Sequence, residues 1–526
     1  MSSEIDEIYR RLNDDSEPTE INWTESKIPK YFAGKTLLLS GATGFMGKVF
    51  VEKILRDCPD LKRLYVLVRH KSGVTPQDKM KRYFENGIFE RLRNKNPNFE
   101  EKVCTVVGDL QADRLGLSDE DRRALVESVD IIVHNGATTK FDEKVSVSLK
   151  INVLGTKHML DLATECKRIQ VFLYVSTAYS HCYRKNIEEE FYDPPGDLKM
   201  IYDMIAADES AKHGLTEDVL KMLLGEYPNV YCFSKAIAEG LVKQHGDTAG
   251  FATGVYRPTV VTAAMWEPSP GWVGNNNGPA LIFLGTALGV LHTSYHFGYP
   301  IDLIPVDLSI NALIGIIYDL ALQWEIVKQP MMYNFGSSTV NPTSLPELFN
   351  NFSIEAPYFG SKNVVWHAFM IFCKKKWEFW FWHILVHFIP AIFADLVLLC
   401  MGKKPRALQL FYFGTKHLDK IDYFGNGNWR IHVPQTLEIY DRLSKADQTT
   451  FYFDIRKIDW ADAAVNWSRG GRIHIVKEPF DNVEETKRFY QRMKKLHYAT
   501  MSFIAVLITY FAIKFLLYLF SFFIEV

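Results

Sequence analysis

Between Lys35 and Thr259 the chain alternates short, nearly continuous apolar runs with longer stretches whose apolar positions recur at helical spacing. The runs are "KTLLLS" (35–40), "LKRLYVLVR" (61–69), "KVCTVVGDL" (102–110), "VDIIVHNGA" (129–137), "VFLYVST" (171–177) and "FATGVYRPT" (251–259). Apolarity that is continuous rather than alternating predicts strands buried on both faces, as in a parallel sheet covered by helices. "KVFVEKILRD" (48–57) and "VSLKINVLGTKHMLDLATEC" (147–166) predict helices between them, and the charged, periodic stretch 74–100 predicts a helical insertion. Six strands alternating with helices predict an α/β fold, a doubly wound parallel sheet with ligands at the carboxyl ends of its strands.

Two later apolar stretches are longer. "FIAVLITYFAIKFLLYLFSFFI" (503–524) is long enough to cross a hydrocarbon core of ~30 Å and carries one charge, Lys514. Lys487, Arg488, Arg492, Lys494 and Lys495 precede it, and only Glu525 and Val526 follow. The positive-inside rule then predicts a tail anchor with the preceding domains in the cytosol. "FWFWHILVHFIPAIFADLVLLCM" (379–401) holds His383, His387, Pro390 and Asp395 and is flanked by Lys374–Lys376 and by Lys403, Lys404 and Arg406. Those interruptions predict a re-entrant or surface-embedded helical pair rather than a clean crossing. His383 and His387 stand at i and i+4 without a third ligand, so they read as packing residues and no metal site is expected.

Composition narrows the function classes. The 526 residues suffice for two or three domains, and a net charge of -2 gives no basic field for nucleic acid. Seven cysteines without a CxxC pair exclude a zinc ribbon or a disulfide framework and suit a reducing compartment. The polar, acidic stretch 1–30 reads as a lead-in with no secretory h-region.

The first strand runs into "SGATGFMG" (40–47), with Gly41, Gly44 and Gly47 at every third position ahead of a helix. A glycine-rich strand-to-helix turn holds a pyrophosphate at a helix N-terminus, so Gly41, Thr43, Gly44, Phe45, Met46 and Gly47 are candidate cofactor contacts. Where a carboxylate after the second strand would select NAD, this chain has Arg69 with Lys71 nearby, which predicts NADPH through its 2′-phosphate. Asp109 and Leu110 after the third strand are placed to face the adenine, and Asn135, Gly136 and Ala137 after the fourth admit close approach of the cofactor.

"NVYCFSKAIAEGLV" puts Tyr231 and Lys235 on one helix face. An ammonium beside a tyrosine hydroxyl lowers its pKa toward the range useful for proton transfer. A Ser/Thr ending the fifth strand can hold the substrate oxygen; Thr177 is the first choice and Ser176 the alternative. Cys182 and Cys232 read as packing residues.

"GATGFMG", "VSTAY", "YCFSKAIAE" and "YRPTVV", followed by "EPSPGWVGNNNGP" and "IPVDLSIN", resemble an extended short-chain dehydrogenase/reductase, and within that class an alcohol-forming fatty acyl-CoA reductase with a C-terminal male-sterility-type domain. The resemblance implies an extended Rossmann sheet and substrate region over 31–350, an aromatic-rich helical domain over 351–500 and a membrane tail over 503–524. It implies two hydride transfers from NADPH that carry a long-chain fatty acyl-CoA through an aldehyde to a primary alcohol for wax, ether-lipid or cuticular lipid synthesis. Tyr231, Lys235 and Thr177 are implied as catalytic. Pro258 and Thr259 are implied as cofactor contacts, and Asn152 as the residue organising the active-site lysine and water. The acyl-CoA is the implied substrate partner, and "RKNIEEEFYDPPGDLK" (184–199) is implied as part of the substrate mouth; the tail anchor makes the bilayer the second partner, at the endoplasmic reticulum or peroxisome, and a surface-embedded 379–401 is placed to guide the acyl chain. Departures are Ser40 for the usual Thr, a missing glycine after Gly278-Pro279, and His292 where an Arg for the CoA phosphates is common. A sterol or sugar-nucleotide reductase and a catalytically silent nucleotide-binding scaffold are the alternatives.

Overall fold

The computed structural model describes residues 25–70, 73–274, 279–359 and 361–524. They form two compact units interleaved along the chain, one from Met1–Asn275, Tyr299–Ser344 and Tyr423–Trp467, the other from Asn276–Gly298, Leu345–Asp422 and Ser468–Val526.

The first unit is built on a wholly parallel, seven-stranded sheet of β1 (Thr36–Ser40), β2 (Arg63–Val68), β3 (Val103–Val107), β4 (Ile131–His134), β5 (Val171–Val175), β6 (Ala252–Pro258) and β7 (Met331–Phe335). Their order in space is β7-β6-β5-β4-β1-β2-β3. β1, β4, β5 and β6 are buried along their whole length, the reason their sequences are continuous apolar runs. β7 is a strand beyond the six expected, added at the edge beside β6. The strand order turns at the β1–β4 junction, where connections leave in opposite directions and open a crevice at the carboxyl edge. α1 (Phe45–Asp57) follows β1, α2 (Gly155–Glu165) leads into β5, and α3 (Val230–Gly246) leads into β6. α4 (Val306–Val327), which leads into β7, is apolar enough to cross a membrane, but more than half of it is buried against the sheet.

Two of the more distinctive sequence motifs meet in this unit. Asp307, in the first turn of α4, accepts hydrogen bonds from the backbone N–H groups of Met265, Trp266 and Glu267 at 2.8, 2.8 and 3.1 Å. Glu267 pairs with Lys53 and Arg56 of α1, each at 2.6 Å, and accepts from Asn311 at 3.1 Å. "EPSPGW" is thereby clamped between α1 and α4.

In the second unit, α5 (Leu345–Phe359) packs on α8 (Val483–Ile524). The expected tail segment is the distal part of α8, whose apolar window has none of its surface buried. The 379–401 stretch forms α6 (Lys376–Cys400), with one wide turn at Ile384–Phe388, and Gly402 (φ +69°) begins the reversal into α7 (Ala407–Asn426).

Candidate active site

The turn after β1 cannot be built without glycine. Gly41 has φ +74°, and a Cβ there would lie 2.8 Å from the Asn135 carbonyl carbon; a Cβ on Gly47 would lie 2.1 Å from the Gly41 oxygen. Gly44 caps α1 with no side-chain acceptor, so the first N–H groups of the helix are left for an anion. A cradle that only glycine fills, ending at a bare helix N-terminus, fits a dinucleotide pyrophosphate. Thr43 and Gly44 are exposed and Phe45 and Met46 half-buried. Phe45 stacks on Trp272 at 5.5 Å. Arg69 is exposed just past β2, while Lys71 and residues 275–278 lie outside the described residues. Asp109 shapes the turn after β3 by accepting from Gln111 N–H at 3.0 Å, and Leu110 fills the space beside Gly136 and Gly155. Asn135, Gly136 and Ala137 follow β4 directly across from the glycine turn. Pro258 ends β6, and Thr259 bonds through its N–H to the Phe335 carbonyl.

Tyr231 and Lys235 sit in the first turns of α3, which Asn229 caps by accepting from Cys232 N–H at 2.9 Å. Thr177, just past β5, accepts from Tyr179 N–H at 3.3 Å, at the same strand end to which α3 brings Lys235. Burial pushes the Tyr231 hydroxyl well up, and the neighbouring Thr177 hydroxyl draws it partly back. Lys235 reaches elsewhere: its Nζ donates to the Val175 carbonyl at 2.7 Å and lies 4.6 Å over the Tyr174 ring. Burial lowers the Lys235 ammonium to about 7, and the nearby Glu239 carboxylate opposes that fall. The geometry therefore supplies a protonated phenol rather than the lowered tyrosine expected from a lysine neighbour.

Ser176 and Thr177 part ways. Ser176 hydrogen-bonds Glu239, which also receives Arg257 at 3.0 and 2.6 Å and His181 at 3.2 Å. These partners hold the Glu239 carboxyl well below the usual range against the cost of its burial. Sequence reasoning missed Glu239, although Tyr231, Lys235 and Glu239 recur at four-residue spacing on one helix face; Arg257 and His181 carried no such signal. The segment 184–199 is pinned to this network, because Arg257 also donates to the carbonyls of Glu188 and Glu190 at 3.3 and 3.1 Å. Cys182 and Cys232 are both buried.

A second polar chain joins the glycine turn to α3. Gly136 N–H donates to Ser40 Oγ at 2.9 Å, and Ser40 meets His134 Nδ1 at 2.7 Å. His134 Nε2 meets Thr156 Oγ1 at 3.1 Å, and Thr156 donates to the Asn152 carbonyl at 2.7 Å. Because Thr156 spends its proton on Asn152, His134 carries its own on Nε2 and accepts the Ser40 proton on Nδ1. Burial lowers His134 to about 3, with the Lys235 charge adding to the effect, so it is neutral. Asn152, on a wide helical turn ahead of α2, donates to the Thr138 carbonyl at 3.1 Å and to Ser234 Oγ at 2.9 Å, and Ser234 donates to the Tyr231 carbonyl at 2.8 Å. Its side chain is thus spent on Thr138 and Ser234 rather than on Lys235.

His292 lies in the second unit and offers no cation to a phosphate. It is buried, stacks on Phe369 at 4.1 Å, bonds the Phe369 carbonyl through Nδ1 at 3.2 Å, and burial lowers it to about 4. His383 bonds Thr293 at 3.0 Å and Thr415 at 2.8 Å.

The chain is similar to known proteins over most of its length. A family model for the NAD-binding part of male sterility proteins matches residues 39–313, and a second male sterility model matches 386–478. Fatty acyl-CoA reductase 1 of Rattus norvegicus is 32% identical over 486 residues, 91% of this chain and 92% of that protein. Fatty acyl-CoA reductase 2 of Homo sapiens is 31% identical, over 90% and 91% of the two chains. The terminal R domain from the myxalamid PKS-NRPS pathway superposes with a TM-score of 0.59 at 21% identity, covering 89% of this chain and 97% of that one. The reductase domain of a non-ribosomal peptide synthetase from Mycobacterium tuberculosis gives 0.55 at 18% identity, with the same coverage. At those identities the two structures speak for the fold alone, the parallel sheet with its crevice at the carboxyl edge.

Proposed function

Since the chain belongs to the fatty acyl-CoA reductase family of male sterility proteins, we propose that it reduces a long-chain fatty acyl-CoA to a primary alcohol and free CoA, using two NADPH and passing through the aldehyde. The observation that carries this reading is that Thr177, just past β5, and Tyr231 and Lys235, in the first turns of α3, lie at the same carboxyl edge as the glycine cradle. Bound reduced nicotinamide supplies a hydride to the carbonyl carbon in each step. Gly41, Gly44 and the N-terminus of α1 suit its pyrophosphate, and exposed Arg69 suits a 2′-phosphate.

Thr177 holds the substrate oxygen, and Tyr231 gives it a proton as negative charge develops there. In the first step this yields a hemithioacetal, whose C–S bond breaks to release CoA thiol and the aldehyde; in the second it yields the alcohol. Lys235, which Glu239 supports against the cost of its burial and which bonds the Val175 carbonyl in the free protein, is the cation we assign to the phenolate left on Tyr231 once substrate and cofactor are bound. An organelle membrane facing the cytosol, endoplasmic reticulum or peroxisome, is the site we assign.

The test is NADPH oxidation by detergent-solubilised protein across a panel of acyl-CoA chain lengths, with products identified by mass. Two NADPH per alcohol is the expected stoichiometry, and accumulated aldehyde would reduce the reaction to one step. Tyr231→Phe is expected to lose about 10²–10⁴-fold in rate while still binding NADPH. Full activity in that variant would remove Tyr231 from the mechanism. Arg69→Ala is expected to narrow the preference for NADPH over NADH.

A further inference from the structure

The hairpin of α6 and α7 is built inside out. Between Phe379 and Cys400 every exposed residue of α6 is apolar, with Trp380, Phe381, Phe393 and Val397 among them. Two polar groups of the same stretch, His383 and Asp395, point inward and are satisfied there. His383 is 2% exposed and bonded to Thr293 and to Thr415 of α7. Asp395 is 7% exposed and accepts from the N–H groups of Arg406, Ala407 and Leu408 at 2.8, 2.8 and 3.0 Å, which caps α7.

Phe388 packs on Phe411 at 5.3 Å, and Lys376 pairs with Asp422 at 3.8 Å. The two helices therefore run antiparallel over their length, and both ends of the hairpin are on one side. Polar contacts inside and a bare apolar surface outside suit lipid as solvent and are costly in water.

Two features choose between lying in one leaflet and crossing twice. Lys374–Lys376 at the base and Lys403, Lys404 and Arg406 at the tip are all exposed, and basic flanks at both ends of an apolar segment hold both to the cytosolic face. α7 exposes Lys416 and Asp419 alongside the apolar base half of α6, and a transverse hairpin would carry these polar side chains into hydrocarbon. We infer that the hairpin lies in the cytosolic leaflet, with α6 sunk along its length, α7 layered on it, and basic ends on anionic headgroups. This placement is independent of the reaction assigned above.

The test uses the full-length chain in microsomes, with a fluorescent amino acid at Phe393 or at Lys404. Expected are quenching at Phe393 by doxyl-labelled lipid but not by iodide, and quenching at Lys404 by iodide added outside. Three results would overturn the placement. Iodide quenching at Phe393 would mean an aqueous surface. Quenching at Phe393 by neither reagent would mean cover by protein, such as a second copy of this chain. A Lys404 position reached by iodide only after permeabilisation would mean two crossings. Lys403→Glu with Arg406→Glu is expected to shift the Lys404 probe away from phosphatidylserine-rich surface, with Phe393 quenching retained.

Discussion

Lys235 needs its charge in a place that takes charge away. With its ammonium lowered to about 7 by burial, the free enzyme loses the proton as pH rises through neutrality, so kcat/KM falls toward the alkaline side. A pH profile across the neutral range checks this: a limb near 7 is expected in the native enzyme, and a profile flat through neutrality would show that Lys235 is not the titrating group. Glu239→Gln removes the carboxylate that supports the ammonium and is expected to move that limb to lower pH.

His134 acts at one remove. His134→Phe leaves Ser40 and Thr156 without their buried partner, at about 1–3 kcal/mol for each unsatisfied group. It is expected to lower the melting temperature and raise KM for NADPH, and unchanged values for both would make the chain from Ser40 to Ser234 incidental. Tyr231 and Lys235 were legible because two residues four apart share a helix face. Glu239 repeats that spacing, yet Lys followed by Glu four residues on is also an ordinary solvated pair. Ser176 and Thr177 leave a strand on opposite sides, and only the packed sheet shows which one meets Tyr231. His134 reads as one more strand residue until the parallel register sets it beside Ser40.

Among the elements, the loop 264–274 shows how a distinctive motif works by architecture. Glu267 ties it to Lys53 and Arg56, Asp307 takes its backbone N–H groups, and Trp272 ends on Phe45 at the start of the glycine-turn helix. Removing one partner from a buried ion cluster costs about 3–5 kcal/mol. Glu267→Ala is therefore expected to lower the denaturation midpoint and, through Trp272, to weaken NADPH binding; a variant with native stability and native cofactor affinity would show the clamp to be dispensable. The strands from β1 to β6 were legible as apolar runs buried on two faces. β7 was not, since its five residues follow directly on α4 and give periodicity too short a window. The apolar run of α6 was visible in the sequence, but α7 carries Lys416 and Asp419, and its pairing with α6 through Asp395, Thr415, Phe411 and Asp422 has no periodic signature.

At the scale of the molecule, α8 has an apolar, wholly unburied window long enough to cross a bilayer. The full-length chain is expected to stay with membranes through an alkaline carbonate wash and to leave only with detergent; release by carbonate alone would reduce α8 to a surface contact. The interleaving of the two units was not legible, because it rests on contacts between segments far apart in sequence. It also sets a timetable for biosynthesis. The sheet-bearing unit takes its last segment from Tyr423–Trp467, which leaves the ribosome only after α6 has emerged. A greasy helix is thus presented to targeting factors and lipid while the catalytic half is still short of its final piece, so the nascent chain meets its membrane before the enzyme is whole.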